Sequence, residues 1–386
     1  MSTPLSILGG LTAEQFLSEY WQKKPLLVKN ALPEIADLFV PEEIQDLALD
    51  GASARLLTQH GDDWKVKASP LDEEDFENLP ELWTLLVQAV DHHSVDLADF
   101  WKQFDFLPQW RRDDIMVSYA PKGGSVGKHF DFYDVFLVQG YGQRRWQLGQ
   151  MCDEKTAFVP NQPLKLLQEM NIHFDDVLEP GDFLYVPPKL SHYGVAQNDC
   201  LTFSFGFRMP NSAEMLDRLG DKFADNTIRK NPLLDIQRHI PQQAGEISRQ
   251  ELDYLKAELL KRLQDCNEFD DAIMTLLSEP KYPDNVPAPD AIEDIADLKA
   301  VFEHNYLLQV EPASRLLYQN DCFWGNGEKI CVDASSIAML KRLANGESIL
   351  FNAENFIHDV LLQDLIQLLN DSILMILPSE TEEAHS

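Results

Sequence analysis

The sequence predicts an α+β protein in which a small β-barrel or sandwich is carried between helical segments. Three observations lead there. Short runs rich in β-branched and aromatic residues recur from Ile115 to Phe207, separated by turns. Helix-start signatures and amphipathic stretches stand before and after that region. The segment 286–386 mixes helical stretches with an Asn-Gly hairpin signal.

At the N-terminus, Thr12-x-x-Gln15 is a capping-box signature, and Phe16, Leu17, Tyr20 and Trp21 follow at helical spacing. Pro25 ends that helix, and Leu26-Leu27-Val28 reads as a strand. Helix is expected again at Pro41–Leu49, with proline at the favoured first position, and at Leu82–Val90. The strand-like runs are Ile115–Ala120, Tyr133–Gln139, Arg144–Leu148, Asp182–Val186, His192–Ala196 and Leu201–Phe207. A glycine-containing loop, Pro121–Gly127, joins the first two. Many short strands in so short a stretch suit a barrel or sandwich.

After Pro210, Asn211-x-x-Glu214 and Ser248-x-x-Glu251 mark helix starts. Leu252, Leu255, Leu259, Leu260 and Leu263 form an apolar stripe, suited to a dimerisation unit or to packing on the barrel of the same chain. Pro280, Pro283, Pro287 and Pro289 mark a stiff linker. Beyond it, Ile292–Phe302 reads as helix, and Arg315–Tyr318 and Ile330–Val332 as strands flanking an Asn326-Gly327 turn. Helices at Ser335–Ala344 and Glu354–Leu369, a strand at Ile373–Leu377 and a disordered tail from Glu380 to Ser386 complete the chain. Helices plus a hairpin make the last part winged-helix-like. The expected divisions are residues 1–210, with the barrel core at about 100–208, then 211–285 and 286–386.

Bulk composition narrows the function classes. Of 386 residues, 44% are hydrophobic and 25% charged, as in ordinary globular proteins, but the formal net charge is -32. That field disfavours nucleic acid and anionic membrane and favours a basic partner. Direct DNA binding by the winged-helix-like part is therefore not expected. Five cysteines, scattered and without C-x-x-C, argue against a disulfide framework or zinc ribbon and fit a reducing compartment. The first residues lack a signal-peptide pattern, and the longest apolar run, Ile373–Leu377, is too short for a membrane span. A cytoplasmic protein without membrane contact is the expectation.

The chemistry is concentrated in His129-Phe130-Asp131 and in His192. Residues i and i+2 of an extended segment point to one face, so His129 and Asp131 aim together. His192 arrives at the start of a distant strand, after Pro187-Pro188. Two imidazoles and one carboxylate in this order are the sequence form of the facial triad that holds non-haem Fe(II) and leaves positions open for cosubstrate and O2. Asp134 is at odd spacing from His129 and should face the other way. The remaining histidines, including His92-His93, have no carboxylate at useful spacing in a strand. Such iron centres commonly take 2-oxoglutarate, whose far carboxylate needs a cation. Arg144 and Arg145 alternate on a strand, so only one can face inward, and Arg144 shares its face with Trp146. Ser118 is a candidate hydroxyl partner for the same carboxylate, or an ordinary strand serine.

Several stretches together carry a family resemblance. They are Tyr20–Val28, Gly127–Gly140, Gly142–Trp146, Leu178–Pro188, the Asn326–Ile330 hairpin and Ala353–Phe356. The chain resembles the JmjC-type ribosomal oxygenases, most of all the bacterial kind that hydroxylates an arginine of large-subunit ribosomal protein sixteen. The resemblance implies a double-stranded β-helix of the JmjC/cupin-like kind, with N-terminal helices, a helical dimerisation region and a C-terminal winged-helix-like domain. It implies Fe(II) at His129, Asp131 and His192, 2-oxoglutarate at Arg144 and Ser118, O2 as cosubstrate, and a homodimer. The implied partner is a basic ribosomal protein of the large subunit. Two other readings stand beside arginine hydroxylation: a histidine-directed ribosomal protein hydroxylase, and a cupin-type small-molecule metalloenzyme that would need no arginine for a cosubstrate.

Overall fold

A computed structural model of the chain describes residues 3–36, 38–225, 232–234, 243, 245–264, 267–289, 291–302, 305–352 and 359–379. The tail Glu380–Ser386, the Ala353–Phe356 motif, Cys266, His239, His304, His358 and His385 lie outside the described residues. The chain divides into two compact units, Met1–Met209 and Pro210–Ser386.

The first unit opens with α1 (Ala13–Glu19), where both capping-box hydrogen bonds between Thr12 and Gln15 form. Then come β1 (Leu26–Val28), α2 (Pro41–Leu49), β2 (Ala54–His60), β3 (Asp63–Ala68), α3 (Glu73–Phe76), β4 (Leu82–Val87) and α4 (Val95–Asp99). The strand-rich part holds β5 (Arg112–Ala120), β6 (Asp134–Tyr141), β7 (Arg144–Met151), β8 (Phe174–Leu178), β9 (Phe183–Val186), β10 (Leu190–Ala196) and β11 (Cys200–Phe207). The helix expected at Leu82–Val90 is instead strand β4, hydrogen-bonded between β2 and β5. A short apolar run buried on both faces shows no period that separates helix from strand, so its partners decide.

Two antiparallel sheets face each other. The larger has the order β1-β9-β6-β11-β5-β4-β2-β3, the smaller β10-β7-β8. Alternation along β11 sorts the two faces of the larger sheet. Leu201, Phe203, Phe205 and Phe207 join an outer core with Phe16, Trp101, Phe104, Phe136 and Tyr185, under the N-terminal segment. The rings pack edge-on and tilted, as with Phe104 and Phe205 at 4.7 Å between centroids. On the inner side, Val135, Leu137, Leu184 and Val186 meet Trp146, Leu148, Leu178 and Leu190. Ala120, Cys200 and Ala196 close the layer elsewhere. The architecture is thus a two-sheet, cupin-like β-sandwich, as the sequence leads one to expect.

In the second unit, Asn211 and Glu214 cap α5 (Ser212–Asp225) reciprocally, and Ser248 and Glu251 do the same for α6 (Arg249–Gln264). α7 (Asn267–Ser278) and α8 (Ile295–Val301) follow. Next come β12 (Tyr306–Val310), β13 (Leu316–Gln319), β14 (Cys322–Gly325), β15 (Glu328–Ile330), α9 (Ile337–Ala344), β16 (Ile349–Phe351), α10 (Asp359–Asn370) and β17 (Leu374–Pro378). They form two sheets, β16-β12-β17 and β13-β14-β15, over a core that includes Leu298, Phe302, Leu340, Leu343, Leu362 and Leu365. One expectation needs correcting. The Asn326-Gly327 turn joins β14 to β15, not Arg315–Tyr318 to Ile330–Val332. A two-residue turn with positive φ at both positions (49° and 86°) requires the immediately flanking residues to pair, here Gly325 with Glu328. Leu316–Gln319 forms a further strand, returned to β14 by Asn320-Asp321.

Candidate metal centre

His129 lies in extended chain just before β6 and forms an isolated antiparallel bridge with His192 of β10. Their main chains bond reciprocally: His129 N–H donates to the His192 carbonyl at 3.1 Å, and His192 N–H to the His129 carbonyl at 2.8 Å. This sets the two imidazoles side by side, 4.2 Å between ring centroids. Each Nδ1 stands 3.0 Å from the carbonyl two residues back, Gly127 for His129 and Leu190 for His192. A carbonyl only accepts, so Nδ1 carries the hydrogen in both rings and Nε2 keeps a free lone pair.

Both lone pairs meet at Asp131. Its Oδ2 is 3.8 Å from His129 Nε2 and 3.5 Å from His192 Nε2, longer than ordinary hydrogen bonds. One donor atom from each residue lies within 4.8 Å of the others, among the described residues the one such group of three or more. The Asp131 carbonyl accepts from Lys189 N–H at 2.6 Å, and Lys189 takes a left-handed φ of 66° to close the turn after Pro187-Pro188. Burial, then the neighbouring His129, push the His192 imidazole down to about 4, outweighing Asp131. His192 is therefore neutral at physiological pH, the protonation state in which imidazole binds a metal. Two fixed imidazole nitrogens and a carboxylate fit a divalent iron-type ion. His129 and Asp131 are each 24% exposed at the side chain against 3% for His192, so the centre opens on their side.

Alternation separates the neighbours as expected. Phe130 turns away onto Phe132 and Phe158. Asp134 is fully buried elsewhere, accepting from Gln22 Nε2, Arg111 Nη2 and Tyr185 Oη at 2.9, 3.0 and 2.6 Å. Its carboxyl is raised by burial, against those three donors.

Further along the smaller sheet, Arg144 and Trp146 of β7 stand opposite Ala196 and Gly194 of β10. Arg144 is 2% exposed, yet its Nε and Nη2 have no hydrogen-bond partner among the described residues, and neither does Trp146 Nε1. Leaving such donors dry costs about 1–3 kcal/mol each, more on a charged group. The guanidinium lies 5.9 Å from the Trp146 ring, and that ring 6.0 Å from the His192 ring, so the indole neighbours both. A Cβ on Gly194 would meet Trp146 at 2.7 to 2.9 Å, so glycine here makes room for the indole. Arg145 points out and pairs with Asp175, and Gln143 bonds Glu179 at the surface.

Ser118 of β5 is buried and pairs in register with Thr202 of β11, which pairs with Gln139 of β6. Thr202 Oγ1 donates to Gln139 Oε1 at 2.9 Å. Thr202 and Gln139 thus share the inner face with Ser118. The alternation in Leu201-Thr202-Phe203-Ser204-Phe205 signals that placement: aromatic and aliphatic residues on one face, hydroxyls on the other.

With this geometry in view, comparison with known proteins is informative. Residues 99–215 match the JmjC domain, and residues 259–375 match the ROXA-like winged helix. The chain is 42% identical over 361 residues to a probable ribosomal oxygenase of Haemophilus influenzae, spanning 88% of this chain and 87% of that one. It is 32% identical over 345 residues to the ribosomal protein uL16 3-hydroxylase of Escherichia coli, spanning 88% and 90%. A solved structure of the Escherichia coli ribosomal oxygenase YcfD, in complex with cobalt and 2-oxoglutarate, superposes with a TM-score of 0.82 at 30% identity, covering 95% of this chain and 98% of that one. Fold, site geometry and sequence identity along both units agree, and the chain belongs to the JmjC-domain ribosomal oxygenases.

Proposed function

We propose that this protein is an Fe(II)- and 2-oxoglutarate-dependent hydroxylase acting on an arginine side chain of a large-subunit ribosomal protein. The observation that carries the cosubstrate assignment is the pair of unpartnered N–H groups on buried Arg144, on the same strand face as Trp146, whose ring neighbours His192. A planar guanidinium with two free donors fits a carboxylate bidentately. His129, Asp131 and His192 hold the metal, with their Nε2 and carboxylate atoms preset by the main-chain bonds around them. Arg144 takes the far carboxylate of 2-oxoglutarate, with the Ser118 hydroxyl as second donor, and Trp146 walls the pocket against water. When bound, Fe(II), 2-oxoglutarate and O2 together supply the oxidising power that inserts one oxygen into an unactivated C–H bond. The protein's part is to fix the metal's ligands, leave positions open and hold one substrate C–H close.

A net charge of -32 favours encounter with a basic ribosomal protein. No helix among the described residues is long and apolar enough to cross a membrane. Leu252, Leu255, Leu259 and Leu260 of α6 are 40 to 58% exposed, and we read this face as the homodimer contact. Sedimentation of a Leu255→Glu, Leu259→Glu variant as monomer would support that reading, and an unchanged mass would refute it.

The decisive assay incubates the protein with Fe(II), 2-oxoglutarate and the arginine-bearing peptide of the ribosomal protein. One added oxygen localised to arginine by tandem mass spectrometry, with matching succinate, is expected, and His192→Ala abolishes both. Oxygen placed on a histidine refutes the choice of arginine. Turnover without 2-oxoglutarate refutes the cosubstrate.

A further inference from the structure

Two cysteines of the second unit are brought together by strand register. β14 and β15 pair as Phe323 with Ile330, Trp324 with Lys329 and Gly325 with Glu328. The next positions in that register are Cys322 and Cys331, both free thiols and both exposed. Phe323 and Ile330, one residue inward, are buried in the core, so alternation turns the two cysteines together onto the opposite face.

The kind of pair matters as much as the register. Gly325 and Glu328 flank a two-residue turn and form a hydrogen-bonded pair, so alternation makes the 322–331 position a non-hydrogen-bonded one. The other edge of β14 agrees: Cys322 pairs there with Gln319 across the Asn320-Asp321 turn, which uses its N–H and carbonyl on that side. Non-hydrogen-bonded partners have Cα atoms about 4.5 Å apart. A disulfide accepts Cα separations of about 4.4–6.8 Å.

We propose that Cys322 and Cys331 are a redox-active dithiol that closes to a cross-strand disulfide when a peroxide reaches it. One thiolate attacks the peroxide O–O bond, becoming a sulfenic acid as the distal oxygen leaves and takes a proton. The second thiol attacks that sulfur and expels water. The two thiols lose two protons and two electrons between them, and hydrogen peroxide becomes two waters. The ladder is three pairs long, and the bond forms at its open end, opposite the turn. On the same face Trp324 donates Nε1–H to Asp271 of α7, so the cross-link stiffens the hairpin that α7 holds. Cys152 and Cys200 are buried and take no part.

The test uses the full-length protein, reduced, desalted and exposed to hydrogen peroxide, then alkylated and digested with trypsin without reductant. Cleavage after Arg315, Lys329 and Lys341 puts the two cysteines on separate peptides, Leu316–Lys329 and Ile330–Lys341. The expected result is a protein lighter by two hydrogens and one species in which these peptides travel joined, separated again by reductant. Cys322→Ser and Cys331→Ser each abolish the loss of two hydrogens: the variant that keeps the attacking thiol gains one oxygen instead, and the one that keeps only the resolving thiol stays open to alkylation. Both peptides recovered separately and alkylated after peroxide would overturn the proposal. So would a bond found only between molecules, or the same mass loss surviving in both single variants.

Discussion

Replacing Arg144 with methionine should move stability and activity in opposite directions. Arg144 is 2% exposed and leaves Nε and Nη2 unpartnered among the described residues, so the chain itself buries a charged group without satisfying two of its donors. Methionine fills similar space without that cost. At about 1–3 kcal/mol for a buried unsatisfied donor, Arg144→Met raises the stability of the ligand-free protein. In a domain of this size each kcal/mol shifts the melting temperature by about 2–4 °C. The same change removes two charge-assisted hydrogen bonds to the cosubstrate, about 1.5–3 kcal/mol each. At about 1.4 kcal/mol per factor of ten, the KM for 2-oxoglutarate rises at least about a hundredfold. Differential scanning fluorimetry without cosubstrate, beside succinate release against 2-oxoglutarate concentration, reads both effects. A variant that melts lower and keeps its KM would mean the guanidinium is structural and the assignment of Arg144 is wrong.

Gly194→Ala places a methyl within 2.7 to 2.9 Å of the Trp146 ring, so activity should fall about tenfold or more as the indole shifts towards Arg144 and His192; the 2-oxoglutarate KM measures it. Asp134→Ala strands Arg111 in a buried site and should cost about 3–5 kcal/mol in urea unfolding, while metal affinity by titration calorimetry stays unchanged. Glu311 is 9% exposed and its carboxyl is raised by burial, against an Ala313 N–H bond. A raised folded pKa contributes stability in full below the unfolded value and loses it as pH rises through the folded one. Glu311→Gln should therefore leave unfolding unchanged near pH 4 and stabilise the protein at pH 7; a less stable variant at pH 7 refutes this.

The candidate ligand set is legible in the sequence because its geometry is local to strands. A spacing of two puts His129 and Asp131 on one face, and the odd spacing of Asp134 sends it to Arg111 and Tyr185. Strand alternation says that only one of Arg144 and Arg145 faces inward, and the family resemblance points to Arg144; burial of Arg144 and exposure of Arg145 follow that alternation. Leu82–Val87 reads as helix in the sequence but is a strand, because its hydrogen-bond partners are β2 and β5, which no local pattern encodes. The polar row of Ser118, Thr202 and Gln139 depends on the register among three strands distant in sequence, so local pattern leaves Ser118 an ordinary strand serine and only the family resemblance marks it. The Asn326-Gly327 turn was visible, but the strands it joins were displaced because Cys322–Gly325 was not assigned. The scattered cysteines hid a pair for the same reason.

The reciprocal main-chain bonds between His129 and His192 have a consequence for redesign. The backbones that present the two imidazoles hold each other and do not rely on the side chains they carry. The centre therefore behaves as a socket cut into the strands: one ligand can be exchanged while the seat of the others stays in place. The socket also depends on long-range pairing, since β7 and β8, which form the smaller sheet with the strand of His192, lie between the two histidines in sequence. Metal affinity in this protein is thus a sensitive gauge of whether that sheet has zipped shut.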